Sequence, residues 1–205
     1  MKVIAVNIDN VLADNESVMS TYLYEKYGEK FDFAAYEDPY DAWVDFVMQF
    51  PEEAEATRVA LVEEGKMYYM AKPIAKNIEE LNKWAWAGAV ISIVCPRENK
   101  HRMLTELWLA QNQVPYSNLL FNFSLDSVPL LLEAIDAQVY IDAEPMYAGM
   151  ATETVPTANT YLLRTYWNRA MLEELDEMAV ERGIEIIKVD YLDEIAVAEG
   201  IRTNG

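Results

Sequence analysis

The chain has 205 residues, of which 52% are hydrophobic and 25% are charged, a balance typical of a folded globular protein. This length allows one sizeable core, with or without a small inserted module, and excludes two domains of ordinary size. Sixteen Lys and Arg residues against 35 Asp and Glu residues leave a net charge of −19. Such a field repels nucleic acid, anionic lipid and phosphorylated ligands, so we expect no direct binding to nucleic acid or membranes.

The acidic surface, the single cysteine and the single histidine further limit the possible partners, location and metal sites. Acidity can serve solubility alone, which is the favoured interpretation, or contact with a basic partner, or imitation of nucleic acid. Cys95 is the only cysteine, which excludes an internal disulfide and favours a cytoplasmic, intracellular location. His101 is the only histidine, so a metal site with several His ligands is excluded. The opening MKVIAVNIDN is typical of a first strand and not of a signal peptide.

The first strand is predicted at 2–6, where the β-branched apolar run KVIAV ends at Asn7. Residues 15–70 have a different pattern, because apolar residues such as Trp43 and Phe46 recur at helical spacing and prolines interrupt the segment. We predict three or four helices here, which form a cap module inserted after the first strand.

From residue 73 onward, helical and strand patterns alternate. A helix with Pro73 near its start and Gly88 near its stop precedes a strand at 89–94. The other predicted helices are 101–113, 127–135, 145–151, 171–183 and a terminal one, and the other predicted strands are 118–123, 138–143, 159–164 and 184–189. This alternation indicates an α/β fold with a doubly wound, mostly parallel sheet.

The predicted sheet places three polar positions together. Ligands of such sheets bind at the carboxyl ends of the strands, and Asn7, Cys95 and Asp142 lie at three of these ends. The expected organisation is an α/β core made of 1–14 and 71–205 with the cap at 15–70.

Several segments in a fixed order resemble the motifs of one enzyme family. They are VNIDNVLAD (6–14), KPIAKNIEELNKWAWAG (72–88), ISIVCPR (91–97), VYIDAEP (139–145) and LLRTYWNRA (162–170). Together they resemble the haloacid dehalogenase (HAD) superfamily, and within it the 5′(3′)-deoxyribonucleotidase branch, whose members also occur in phage genomes. The helical insertion falls where that branch has its cap.

The resemblance implies a phosphatase site that has lost most of its catalytic residues. In the family an aspartate attacks phosphorus, a second aspartate protonates the leaving group, a Thr or Ser and a Lys hold the phosphoryl group, and carboxylates bind Mg²⁺. Here the nucleophile position is Asn7, whereas the acid is retained as Asp9. The remaining positions carry Cys95 for Thr or Ser, Ser127 for Lys, and Asp142 followed by Ala143 for the paired acids.

Other family positions are retained as candidate ligand contacts. These are Arg97 and the pair Asn168 and Arg169. Asn7 and Asp9 are further ligand candidates, although Asn7 can also be a relic. The two arginines can equally form ion pairs. Asp9 and Asp142 are weak candidates for a metal, so we expect no cofactor and regard Mg²⁺ as doubtful.

The cap aromatic residues and Cys95 each have a structural and a functional interpretation. In the related enzymes cap aromatics stack on the nucleobase, but a small helical module needs most of them for packing. We therefore expect one or two to face the cleft. Cys95 beside Arg97 can be a reactive thiol, but a buried, inert cysteine is the favoured interpretation.

These losses lead to three functional hypotheses. Loss of a covalent nucleophile costs on the order of 10⁴–10⁶ in rate, so the enzyme interpretation is disfavoured. The first hypothesis is a pseudophosphatase that binds a protein partner with a basic surface. The second is a protein that binds or sequesters a nucleotide in the old cleft, and the third is a residual Mg²⁺-dependent deoxyribonucleotidase.

Overall fold

The computed structural model describes residues 1–37, 39–121 and 124–201. Its strands are β1 (Val3–Asn7), β2 (Ala13–Asp14), β3 (Lys72–Pro73), β4 (Val90–Cys95), β5 (Asn118–Phe121), β6 (Val139–Asp142), β7 (Asn159–Leu163) and β8 (Ile187–Val189). Its α-helices are α1 (Asn15–Tyr27), α2 (Pro39–Gln49), α3 (Pro51–Arg58), α4 (Lys66–Met70), α5 (Ala75–Trp86), α6 (Arg102–Gln111), α7 (Val128–Ala134), α8 (Pro145–Thr154), α9 (Leu172–Arg182) and α10 (Leu192–Ala198).

Six of the strands form one parallel sheet in the order β5-β4-β1-β6-β7-β8. The central strand β1 is buried because helices cover both faces of the sheet, and Ile4, Ala5 and Val6 are fully inaccessible. β4 pairs with one side of β1 and β6 with the other. The strand order therefore reverses beside β1, which is where open α/β sheets bind ligands. The predicted doubly wound α/β fold is confirmed.

The helices α1 to α4 lie between β2 and β3 and form the segment that we call the cap. A π-helical turn (Val59–Glu63) links α3 to α4. The cap has its own aromatic core around the buried Phe46, whose ring packs against Tyr27, Phe31 and Phe50 at centroid distances of 5.1 to 5.6 Å. These contacts confirm that most of the aromatic residues serve packing.

Most of the predicted elements occur within a few residues of their predicted bounds. The prediction missed β2 and β3, which pair antiparallel between the cap and the sheet. The strand predicted at 184–189 is shorter, at Ile187–Val189. The strand predicted at 118–123 is described to Phe121, and 122–123 lie outside the described residues. Within the part of the chain that the structure describes, no helix is long and apolar enough to cross a membrane.

Candidate functional site

Three strand ends bring the predicted site residues together beside β1. Asn7 ends β1, Cys95 ends β4 and Asp142 ends β6. The Asn7 side chain donates from Nδ2 to Asp142 Oδ1 at 2.9 Å, so these two positions are in direct contact. We call Asn7, Asp9, Cys95, Arg97 and Asp142 the floor of the site.

Asp142 is the centre of a closed hydrogen-bond network. Besides the Asn7 amide, its carboxylate accepts from the Glu144 N–H at 2.8 Å and from the Tyr140 hydroxyl. The Asp142 side chain is fully buried, and this burial raises its pKa to about 6, although the three donors oppose the rise. Asn7 Oδ1 in turn accepts from the Asp9 N–H at 3.2 Å, and Asn7 is only 3% exposed. The Asn7 amide thus donates one hydrogen bond and accepts another inside the protein.

Asp9 is held by a buried arginine from the loop after β4. Arg97 is 4% exposed, and its Nη2 lies 2.5 Å from Asp9 Oδ1 while its Nε lies 3.2 Å from both carboxylate oxygens. Arg97 also donates from Nη1 to the Thr105 hydroxyl at 2.9 Å and lies over the Tyr68 ring at 4.1 Å. Asp9 and Arg97 therefore bind each other, which is the ion-pair alternative expected for Arg97.

Cys95 is inert in this environment. It is fully buried, and this burial, followed by the charge of Asp9, raises the pKa of its thiol to about 12. Arg97 only partly opposes that rise. A thiol with such a pKa is not a nucleophile near neutral pH, so the favoured interpretation of Cys95 agrees with its position.

The other predicted residues lie outside the floor. Ser127 forms a local turn in which its hydroxyl donates to the Ser124 carbonyl at 2.8 Å. Asn168 is buried and donates from Nδ2 to the carbonyls of Ala143 and Leu163, both at 2.8 Å. Arg169 is exposed, and its guanidinium lies 5.8 Å from the centroid of the Tyr166 ring. Only Asn168 of these three lines the cleft described below.

The described carboxylates do not fit a magnesium site. Asp142 already accepts three hydrogen bonds, one of them from the Asn7 amide. Asp9 is neutralised by Arg97. Within residues 1–37, 39–121 and 124–201, no three His, Cys, Asp or Glu side chains cluster closely enough to hold a metal ion.

A cleft of about 410 Å³ opens between the cap and the carboxyl ends of the strands, a volume in the usual range for small ligands. Its wall combines aromatic rings, carboxylates, side-chain amides and two methionines of the cap. The aromatic residues are Tyr40, Trp43, Tyr68 and Trp167, the acids are Asp9, Glu16 and Glu144, the amides are Asn10, Asn15 and Asn168, and the cap methionines are Met19 and Met67, with Met171 as a third methionine of the lining. Of the residues that the structure describes, no Lys or Arg lines this cleft. Asn7 is not part of the lining either.

The two helices that begin at the cleft have amides of their first turns bonded to side chains of residues that precede them. At the start of α1, Asn10 Oδ1 accepts from the N–H groups of Asn15 and Glu16 at 3.1 and 3.3 Å. Asn10 reaches this position through a left-handed backbone, with φ of 58°, a conformation that Asn tolerates better than most residues other than Gly. At the start of α8, Glu144 Oε1 accepts from the Met146 N–H at 3.4 Å. These amides are therefore not free to bind an anion.

Two acceptor atoms at the cleft are unsatisfied. Asn15 is 5% exposed and donates from Nδ2 to Asp9, but its Oδ1 has no hydrogen-bond partner. Glu16 also leaves its buried Oε1 without a partner. Burial raises the pKa of Glu16, and contacts with the Thr165 hydroxyl and the Trp167 backbone partly oppose this rise. The cleft thus offers acceptors and negative charge.

Sequence reasoning missed several of these residues. Trp167 and Glu144 directly follow or precede motif positions, so the motifs LLRTYWNRA and VYIDAEP contained a signal for both. Asn15 and Glu16 carried no motif signal. The cap aromatics that reach the cleft are Tyr40, Trp43 and Tyr68, somewhat more than the one or two expected.

The sequence matches no protein-family model and no curated protein, whereas 48 solved chains have a similar structure. A HAD family hydrolase from Deinococcus radiodurans R1, solved with bound phosphate and sodium, has a TM-score of 0.67 at 12% identity over 100% of this chain and 99% of its own. A HAD phosphatase from Thermococcus onnurineus has a TM-score of 0.57 at 14% identity, covering 99% and 100%. L-2-haloacid dehalogenase from Xanthobacter autotrophicus, with chloropropionic acid covalently bound, has a TM-score of 0.57 at 12% identity, covering 98% and 100%.

These similarities confirm the expected HAD-like fold. At such low identity they concern the fold alone, and activity has to be argued from the residues of the site. The resemblance to the deoxyribonucleotidase branch stays a prediction.

Proposed function

We propose that this chain uses the fold of HAD hydrolases without their phosphatase chemistry, and that it acts by binding a protein partner with a basic surface. One observation carries the proposal. The floor is closed by its own side chains, because Asn7 donates to Asp142 and Arg97 binds Asp9. A phosphoryl group would have to displace both interactions, and it would meet an amide where the family has a nucleophile.

Cofactor chemistry is not part of this proposal. Asp9 and Asp142 are the retained acids of the family's metal site, but one faces an arginine and the other faces an amide N–H. A cation would have to displace the Arg97 guanidinium and the Asn7 amide from these carboxylates, which requires the floor to rearrange. We therefore propose that the protein works without Mg²⁺.

The nucleotide hypothesis is weakened by the cleft itself. A nucleotide carries phosphate charge, whereas the lining includes Asp9, Glu16 and Glu144 and, among the described residues, no Lys or Arg. The aromatic rings of the cleft would suit a nucleobase, but its charge does not suit a phosphate. The residual-phosphatase hypothesis faces the same repulsion and lacks a nucleophile in addition.

A phosphatase assay tests the catalytic half of the proposal. The protein and the variant Asn7→Asp are incubated with deoxynucleoside monophosphates and with p-nitrophenyl phosphate, with and without Mg²⁺. We expect phosphate release at the background rate for both, because restoring the nucleophile leaves Cys95, Ser127 and Ala143 in place of the other family residues.

Two results would contradict this half of the proposal. Mg²⁺-dependent turnover by the unmodified chain that disappears in Asp9→Asn would establish an enzyme. Activity gained by Asn7→Asp would establish that the nucleophile is the only essential loss.

Affinity capture followed by titration tests the binding half. A partner captured by the immobilised chain is purified and titrated at 0.05 to 0.3 M salt. We expect binding to weaken over this range, because the Debye length falls to about 6 Å at 0.3 M and screens contacts with a surface of net charge −19. A partner that binds equally at both salt concentrations would overturn the acidic-surface basis of the proposal.

A further inference from the structure

We infer that the cleft between the cap and the sheet binds an organic cation, namely an ammonium or guanidinium group, in place of the phosphate that the fold suggests. This inference rests on the proposed function, since it names the chemistry by which this site would recognise a basic partner. The same cationic group could also belong to a free amine.

The unsatisfied atoms of the cleft define the ligand chemistry. Asn15 Oδ1 and Glu16 Oε1 are both acceptors, both buried, and both without a partner. Buried polar atoms in folded proteins nearly always find a partner, so unpaired acceptors in two residues that line a cleft point to a ligand that supplies donors. Primary ammonium and guanidinium groups carry three and five N–H donors respectively and accept no hydrogen bond.

The charge of the cleft agrees with this assignment. Arg97 neutralises Asp9, but Glu16 and Glu144 have no Lys or Arg beside them among the described lining residues. The charged form of Glu16 is disfavoured because burial removes its carboxylate from water. A cation in the cleft would offset this desolvation cost by pairing with the carboxylate. An anion would be repelled by the same two carboxylates.

Aromatic rings give the cleft a second way to hold a cation. Trp43 packs one face on Phe46, with the ring centroids 6.0 Å apart, and also lines the cleft together with Trp167. The Arg97 guanidinium lies over Tyr68 at 4.1 Å, so a cation already rests on one ring of this wall. Each cation–π contact strengthens binding by roughly 2- to 30-fold.

The donor requirement separates this cleft from a simple aromatic cage. A quaternary ammonium would contact the rings but could not donate to Asn15 Oδ1 or Glu16 Oε1. Primary ammonium and guanidinium groups satisfy both demands. We therefore expect them to bind more tightly than a quaternary ammonium of similar size.

Titration with small probes, followed by the indole N–H signals in NMR, tests the inference. The probes for a partner's side chain are Nα-acetylarginine amide and Nα-acetyllysine amide, whose side chains keep their charge. Agmatine is the free amine, choline is the quaternary ammonium and dAMP is the anion. We expect saturable binding of arginine or lysine derivatives or agmatine with a Kd of roughly 0.1–1 mM. The shifts should fall on Trp43 and Trp167 and leave Trp86, which is 90% exposed, unmoved.

The arms of the titration distinguish the source of the cation. Binding of the amino-acid amides but not of agmatine assigns the cleft to a side chain of a partner, and the reverse assigns it to a free amine. Absence of saturable binding for all three overturns the inference. Choline or dAMP binding more tightly than these probes overturns it as well.

A matched pair of variants locates the binding. Glu16→Gln keeps the shape of the side chain and removes its charge, so we expect affinity for the best probe to fall about tenfold. Glu177→Gln on α9 makes the same change in net charge at an exposed position outside the cleft lining and should leave affinity unchanged. Equal affinity of Glu16→Gln and the unmodified chain would overturn the inference, with thermal unfolding confirming that both variants are folded.

This outcome is separable from that of the proposed function. Small-probe binding at Trp43 and Trp167 is measured without any partner, whereas the proposed function is judged by phosphate release and by salt-dependent partner binding. A chain that binds a partner only through its outer surface would pass the second set of tests and fail the first.

Discussion

The floor of the site and the wall of the cleft lie next to each other but differ in how completely their polar groups are hydrogen-bonded. On the floor, Asn7, Asp142 and Arg97 are at most 4% exposed, and the atoms of each are bound to neighbouring side chains. On the wall, Asn15 and Glu16 leave acceptors unsatisfied beside an open volume of about 410 Å³. The polar groups of the floor are paired within the protein, whereas the wall includes unpaired acceptors and a carboxylate, Glu16, whose charged form is disfavoured by burial.

This difference distinguishes residues with a structural role from residues that are available to bind a ligand. Asp9 and Arg97 lie at positions that the sequence resemblance singled out, and they form an ion pair with each other. Glu16 matches no family motif, but its position beside the cleft makes it the better candidate for binding. Variants in the two regions should therefore change stability in opposite directions, and the following predictions are arranged from the largest expected effect to the smallest.

Replacing Arg97 should have the largest effect on stability. In Arg97→Leu the ion pair is broken, so Asp9 keeps the Asn15 amide but loses its charged partner, and the free energy of unfolding should fall by about 3 kcal/mol. Urea unfolding followed by circular dichroism measures this change. The control Arg102→Leu breaks an exposed pair with Glu106 and should cost less than about 1 kcal/mol. Equal losses in the two variants would mean that the floor is not held by the Asp9–Arg97 pair.

Asp142 should make the stability depend on pH. Its pKa in the folded protein is about 6, above the ordinary value of 3.8, so the folded state binds the proton more tightly than the unfolded state does. The free energy of unfolding should therefore decrease as the pH rises from about 4 to about 7, with an Asp142 contribution of up to about 3 kcal/mol.

Denaturation at several pH values tests the Asp142 contribution. Asp142→Asn removes the titrating group, so its deficit relative to the unmodified chain should shrink as the pH rises through 6. The control Asp126→Asn changes an exposed carboxylate and should keep the pH profile of the unmodified chain. A constant deficit for Asp142→Asn across this range would contradict the prediction.

Glu16→Gln should have the smallest effect, with the opposite sign. Burial disfavours the charged form of Glu16, so removing the charge should raise the free energy of unfolding at pH 7 by up to about 1 kcal/mol. Glu177→Gln should stay within about 0.5 kcal/mol of the unmodified chain. Thermal and urea unfolding of the two variants measure the difference. A loss of stability in Glu16→Gln would assign Glu16 to the structure, as on the floor.

The fold could be predicted because its signals are local. β-branched apolar runs at 2–6, 89–94 and 138–143 are typical of buried parallel strands, and Gly88 and Gly183 end helices with φ of 91° and 66°. The strands β2 and β3 were not predictable in this way, because an element of two residues has no periodicity.

The site could be predicted only in part because its contacts are distant in sequence. The strand ends placed Asn7 and Asp142 together, but 88 residues separate Arg97 from Asp9, and nothing local shows that their side chains meet. The position of Glu16 beside Thr165 and Trp167 likewise depends on how α1 packs against the loop after β7. The sequence motifs thus identified candidate residues, whereas the tertiary packing determines which side chains contact each other.

The short antiparallel pair β2–β3 has a consequence for modular engineering. Ala13 pairs with Pro73 and Asp14 with Lys72, so the chain enters and leaves the cap at adjacent points. A two-residue turn between Asp14 and Lys72 would convert this neck into an ordinary hairpin. A cap transplanted onto this neck would therefore replace not only Trp43 but also Asn15 and Tyr68, which contact Asp9 and Arg97 of the floor.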